Sequence, residues 1–147
     1  MVVYFATDHA GFAHKEVLLA YVRDELGYVV EDCGALHYDE NDDYPDFISQ
    51  AAHKVGENPD TSRGIIFGGS GQGEAMVANR VEDVRATVYY GGSKEIITLS
   101  REHNNANILS IGARFVSLEE SKEVVKTWLE TPFNNDVRHV RRINKFS

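Results

Sequence analysis

Apolar and polar positions change period several times along the chain. Val2 to Thr7 (VVYFAT) is a short, apolar, β-rich run. In HKEVLLAYVRDELG the period becomes helical, with Val17, Leu18, Tyr21, Val22 and Leu26 on one face and Gly27 as the stop. A strand YVVEDCG follows, then a polar loop, ALHYDENDDY, and Pro45 opens a helix running to roughly Val55. RGIIFGG predicts a strand that enters a glycine-rich loop, with EAMVANRV continuing as helix. Strand VRATVYY, helix SKEIITLSREH and strand ANILSIG come next. Ser117 and Glu120 in S-L-E-E form a capping box for a helix ending near Glu130, and NDVRHVRRINKF reads as a last helix. Strands alternating with helices predict an α/β fold, a parallel sheet of about five strands covered on both faces.

Composition narrows this to one domain, residues 1–147, since 147 residues with 42% hydrophobic content suit a single core. A formal charge of -8 argues against a nucleic-acid or anionic-membrane partner. No apolar run is long enough to span a bilayer, and the start MVVYFATDHAG lacks a basic n-region and a cleavage site. The expectation is a cytoplasmic protein. The single Cys33 excludes an internal disulfide, and its place in a strand predicts a buried structural thiol.

In parallel sheets ligands gather at the carboxyl ends of strands. Asp8-His9-Ala10-Gly11, the loop F-G-G-S-G-Q-G-E and Gly112-Ala113-Arg114 follow the first, third and fifth strands. His103 and Asn104, between the fourth helix and the fifth strand, are expected on the same rim. The loop carries no lysine for a Walker site. Met76 stands where a dinucleotide fingerprint needs its last glycine, and the next strand ends in Tyr89-Tyr90-Gly91-Gly92 rather than an acid. Glu74 falls in the first turn of the next helix. An ordinary N-terminal acid stabilised by the helix dipole would explain it alone. Beside amides that can hold an oxyanion, and with the Ser70 hydroxyl in the same cradle, it also suits proton abstraction alpha to a carbonyl. Arg138, His139, Arg141, Arg142 and Lys145 form a basic cluster in an acidic chain. Arg138 and Arg142 are four apart, so they share a helix face and can grip one phosphate together.

D-H-A-G at 8–11, G-G-S-G-Q-G-E at 68–74, A-N-R at 78–80, R-E-H-N at 101–104, G-A-R at 112–114 and R-H-V-R-R-I at 138–143 resemble the type B ribose-5-phosphate isomerases. That group is related to the galactose-6-phosphate isomerase subunits, and the resemblance spans essentially the whole chain. It implies a three-layer Rossmann-like fold with a C-terminal helical arm. It also implies a homodimer (or dimer of dimers) with the site near the subunit interface, and aldose–ketose isomerisation without metal or cofactor. Gly68 stands where one branch carries a catalytic cysteine, so the resemblance assigns the base to Glu74. It implies that Gly69, Ser70, Gly71, Gln72 and Gly73 hold the enediolate, with Ser70 passing a proton between O1 and O2. His103, assisted by Asp8, would open the furanose ring. His9, Arg114, Arg138 and Arg142 would bind phosphate, and Asn104 sugar oxygens.

His14, His37 and His53 have no ligand-like spacing and read as surface or packing residues. The acidic loop Asp39 to Asp43 imitates the start of a calcium loop but has Tyr44 at position six and Gln50 at position twelve. Two alternatives stay open from the residues: a sugar-phosphate-binding module without turnover, and an isomerase of six-carbon sugar phosphates.

Overall fold

The computed structural model describes residues 1–146. Its strands are β1 (Val2–Thr7), β2 (Val29–Asp32), β3 (Ser62–Gly68), β4 (Ala86–Tyr89) and β5 (Ile108–Gly112). Its helices are α1 (Phe12–Asp24), α2 (Tyr44–Glu57), α3 (Gln72–Ala78), α4 (Glu95–Glu102), α5 (Leu118–Glu130) and α6 (Val137–Ile143). All strand pairs are parallel, in the order β2-β1-β3-β5-β4. The expected five-stranded α/β sheet is therefore present.

Period-two alternation builds two cores. Val3, Phe5, Ile65, Phe67, Leu109 and Ile111 point to one face, where Leu18 and Val22 of α1 and Val124, Val125 and Trp128 of α5 cover them. The intervening Ala6, Ile66 and Ile108 point to the other, under Ile48, Ala51, Ala52 and Val55 of α2 and Ala78 of α3. Because both faces are covered, the central strands read as continuous apolar runs. That gives three layers.

Boundaries moved where local chemistry decided them. The helix expected from Pro45 begins at Tyr44, with Pro45 in its first turn, and runs on to Glu57. α3 starts at Gln72 and stops at Ala78. The Asn79 side chain bonds both main-chain groups of Ala86, at 2.8 and 3.0 Å, where β4 begins. Ser117 caps α5 by accepting from the Glu120 amide at 3.1 Å, but the box is only half closed. The Glu120 carboxylate accepts instead from the buried Tyr89 hydroxyl at 2.6 Å. Cys33 lies just past β2 and is half-buried rather than buried, with its thiol pushed up to about 11 by desolvation first. It stays a protonated, unreactive thiol near neutral pH.

Candidate active site

Strand order reverses between β1 and β3, and ligands favour the crevice outside the strand ends at such a switch point. Asp8 and His9 leave β1 there, and the glycine loop leaves β3 beside them. The Thr7 hydroxyl donates to Phe67 O at 3.1 Å and stitches the two ends together. The loop is docked onto β5, since Ala113 and Arg114 amides donate to Gly68 O and Gly69 O. The Ser110 hydroxyl donates to Gly71 O at 2.6 Å. Gly71 has φ 78° and packs against Gly112, so glycine is required for both conformation and space.

Glu74 sits in the first turn of α3 with only 4% exposure. Its carboxylate occupies the volume over Gly68: a Cβ there would stand 1.8 Å from Oε1. Desolvation raises its pKa above the ordinary value, opposed by its own main-chain amide and reinforced by the Asp8 charge. A carboxylate pushed upward by burial accepts a proton readily at neutral pH. Asp8 is itself buried, its Oδ1 accepting from the Ala10 amide at 3.0 Å. Arg114 reaches the loop from the β5 end, its guanidinium lying 3.0 Å from where a Cβ on Gly69 would be.

His103 and Asn104 are not on this rim. They follow α4 and precede β5, which puts them at the amino ends of the strands. Between Ile108 and Gly112 the chain climbs about 13 Å at strand rise, so one chain holds His103 far from Glu74. The expectation of a single rim is corrected by strand direction. Arg101, buried over Trp128, fixes the turn between α4 and β5 by donating to Thr131 O, Asn105 Oδ1 and Ala106 O. α6 packs on that turn: the His139 and His103 rings stack with centroids 4.2 Å apart. Arg138 and Arg142 are exposed on α6, one turn apart as expected. His139 differs from them. It is 4% exposed, its Nε2 has no partner among the described residues, and burial followed by the His103 and Arg138 charges lowers its pKa. It belongs with the neutral, packed groups, not with the cationic cluster.

Two site-side residues escaped the sequence reading. The Tyr44 hydroxyl lies against Gly73, 2.6 Å from where a Cβ would be, so the start of α2 walls the loop. Asp42 Oδ1 bonds His9 at Nδ1 (2.7 Å) and at the main-chain amide (3.0 Å) across 33 residues. Asp8, His9 and Asp42 bring donor atoms within 4.8 Å of one another. With Nδ1 already committed to Asp42, the group is a hydrogen-bonded pair beside a carboxylate rather than a ligand shell. His14, as expected, is a packing residue: its Nε2 lies 2.8 Å from Val116 O.

A buried carboxylate of raised pKa beside a glycine cradle, at the switch point of a parallel sheet, defines the class: an α/β protein built to take a small ligand at its strand ends. The chain belongs to the ribose/galactose isomerase family, whose family model matches residues 3–146. It is 42% identical over 144 residues to ribose-5-phosphate isomerase B of Mycolicibacterium paratuberculosis, covering 98% of this chain and 88% of the relative. Ribose-5-phosphate isomerase B of Mycoplasma genitalium, solved with bound ribulose 5-phosphate, superposes with a TM-score of 0.92 at 37% identity, covering 98% and 92%. The type B enzyme of Trypanosoma cruzi gives 0.89 at 38% identity, covering 99% and 95%. The chain is thus an isomerase of this family. None of its described helices is long and apolar enough to cross a membrane.

Proposed function

We propose that the protein interconverts ribose 5-phosphate and ribulose 5-phosphate through an enediolate, with Glu74 as the base. The observation that carries this reading is the Glu74 carboxylate seated over Gly68, buried and raised in pKa, beside the glycine loop. A binding module has no need of such a base. Glu74 takes the proton from C2 of the open aldose and returns it to C1. Charge that develops on O1 and O2 meets the amides of Gly69, Ser70, Gly71, Gln72 and Gly73. The Ser70 hydroxyl passes a proton between those two oxygens.

Ring opening needs an acid, and His103 stands on the opposite rim. The reading therefore includes a homodimer in which His103, Asn104, Arg138 and Arg142 of a second copy face Asp8, His9, Ser70, Glu74 and Arg114 of the first. His103 then protonates the ring oxygen as its bond to C1 breaks, and Asp8 takes the proton that the C1 hydroxyl gives up. Asn104 binds sugar oxygens, and His9 and Arg114 meet the two α6 arginines around the phosphate. The test is a panel of five- and six-carbon aldose phosphates assayed with a chelator present. Ribose 5-phosphate should be turned over in EDTA and outrun allose and galactose 6-phosphates. Faster turnover of a six-carbon substrate would move the assignment to that class, and binding without turnover would leave only a sugar-phosphate binder.

A further inference from the structure

Asp42 belongs to an acidic loop whose composition suits solvent, yet its side chain is only 8% exposed. Its amide donates to Asp39 O at 3.1 Å, so a tight turn presents it inward. Oδ1 takes both the ring and main-chain hydrogen bonds of His9. Oδ2 is buried and has no hydrogen-bond partner among the described residues. A carboxylate in that position is costly to bury unless a cation accompanies it, and the His9 ring, whose pKa this contact raises, is the group in contact that can carry the charge. With Nδ1 directed at Asp42, the ring has one nitrogen left, Nε2, on a side chain 26% exposed at the switch-point crevice.

We propose that Asp42 is a positioning residue for the phosphate subsite: holding His9 at Nδ1 and at its amide, it presents Nε2–H to the substrate's phosphate. This rests on the reading above that His9 meets phosphate. The groups facing His9 are Asp42, Asp8, whose Oδ2 is 4.0 Å from Nδ1, Arg114, and Tyr38, whose ring stands edge-on at 6.4 Å. Asp42 raises the His9 pKa most, by its hydrogen bond; burial works against it, and Asp8 outweighs Arg114. His9 is therefore cationic over a wider pH range than a free histidine, and a charge-assisted hydrogen bond to phosphate persists there.

Asp42→Asn is the discriminating variant, because the amide oxygen can still accept both hydrogen bonds. If Asp42 only staples the loop, Asp42→Asn changes nothing that depends on pH. Asn lacks the charge that favours the protonated ring, and a neutral ring with Nδ1–H directed at residue 42 has no Nε2–H to donate. Asp42→Asn should therefore raise KM for ribose 5-phosphate about tenfold at pH 8 and much less at pH 6, with kcat altered less than KM. Asp42→Glu should recover part of the difference, and His9→Asn/Asp42→Asn should be no worse than His9→Asn. A KM profile superimposable on wild type, or a deficit equal at all pH values, overturns the proposal. Should the variant not fold, wild-type protein decides: ¹⁵N-resolved NMR of His9 must show titration above 6.5 and an upfield shift of its Nε2 environment on adding inorganic phosphate, and titration at or below 6.5 refutes the pairing. If wild type fails to isomerise ribose 5-phosphate, the functional reading falls separately, and inorganic phosphate binding at pH 6 and 8 still tests Asp42.

Discussion

Gly68→Ala adds one methyl group directly against the Glu74 carboxylate. The new Cβ would stand 1.8 Å from Glu74 Oε1 and 2.0 Å from its Cδ. Carbon atoms settle at about 3.5 Å or more, so the carboxyl carbon must retreat by roughly 1.5 Å. Displacing a catalytic group by about 1 Å can cost ~10² in rate, so kcat/KM for ribose 5-phosphate should fall at least about a hundredfold, or ~2.7 kcal/mol. Folding should survive, because the backbone of Gly68 is outside the left-handed region and the obstructing atoms are the tip of a side chain. A cost near 1 kcal/mol would lower Tm by about 2–4 °C. Initial rates of ribulose 5-phosphate formation, with a thermal melt of the same preparation, separate the two effects. Activity within threefold of wild type with a normal melt would refute the placement of the base.

Other consequences can be checked with the same assay. Glu74→Gln should lower kcat/KM by about 10²–10⁴, and wild-type kcat/KM should decline on acidification through a pKa above 4.5. Because folding raises that pKa, ionising Glu74 costs stability as pH rises from 4.5 through the raised value; Glu74→Gln removes this loss and should melt at or above the wild-type temperature at pH 8, as a pH series of melts would show. Arg142→Ala should weaken binding and kcat together by ~2–5 kcal/mol, and steady-state kinetics near wild type would reduce α6 to a solvated face. If the site is shared between two copies as proposed, mixing Glu74→Gln with His103→Ala and exchanging subunits should restore activity, since a hybrid dimer would hold one intact site; no recovery would contradict a site shared between copies.

Elements with local causes were legible in the sequence. The apolar runs of β1, β3 and β5 announced buried parallel strands, and the glycines ahead of Glu74 announced a cradle with a carboxylate at its mouth. His103 was misplaced because a residue entering a strand lies at the amino end, whereas the ligand rim collects residues leaving strands. His139 looked like one more cation in a basic run; only the packing of α6 on the α4–β5 turn buries it against His103. Asp42 and Tyr44 were hidden by distance, since their partners His9 and Gly73 lie 33 and 29 residues away, and a composition that reads as solvated loop gave no sign of inward pointing.

Proton exchange at C1 of ribulose 5-phosphate tests the central assignment most directly. This ketose cannot close to a furanose, because its O5 carries the phosphate, so exchange in heavy water needs the base but no ring chemistry. Proton NMR of the C1 signal should show no enzyme-catalysed exchange with Glu74→Gln, whose amide cannot accept the proton. His103→Ala should retain much of the exchange while losing most turnover of cyclic ribose 5-phosphate. Undiminished exchange by Glu74→Gln would remove Glu74 as the base, and equal loss in both variants would put His103 in the enediolate step beside it.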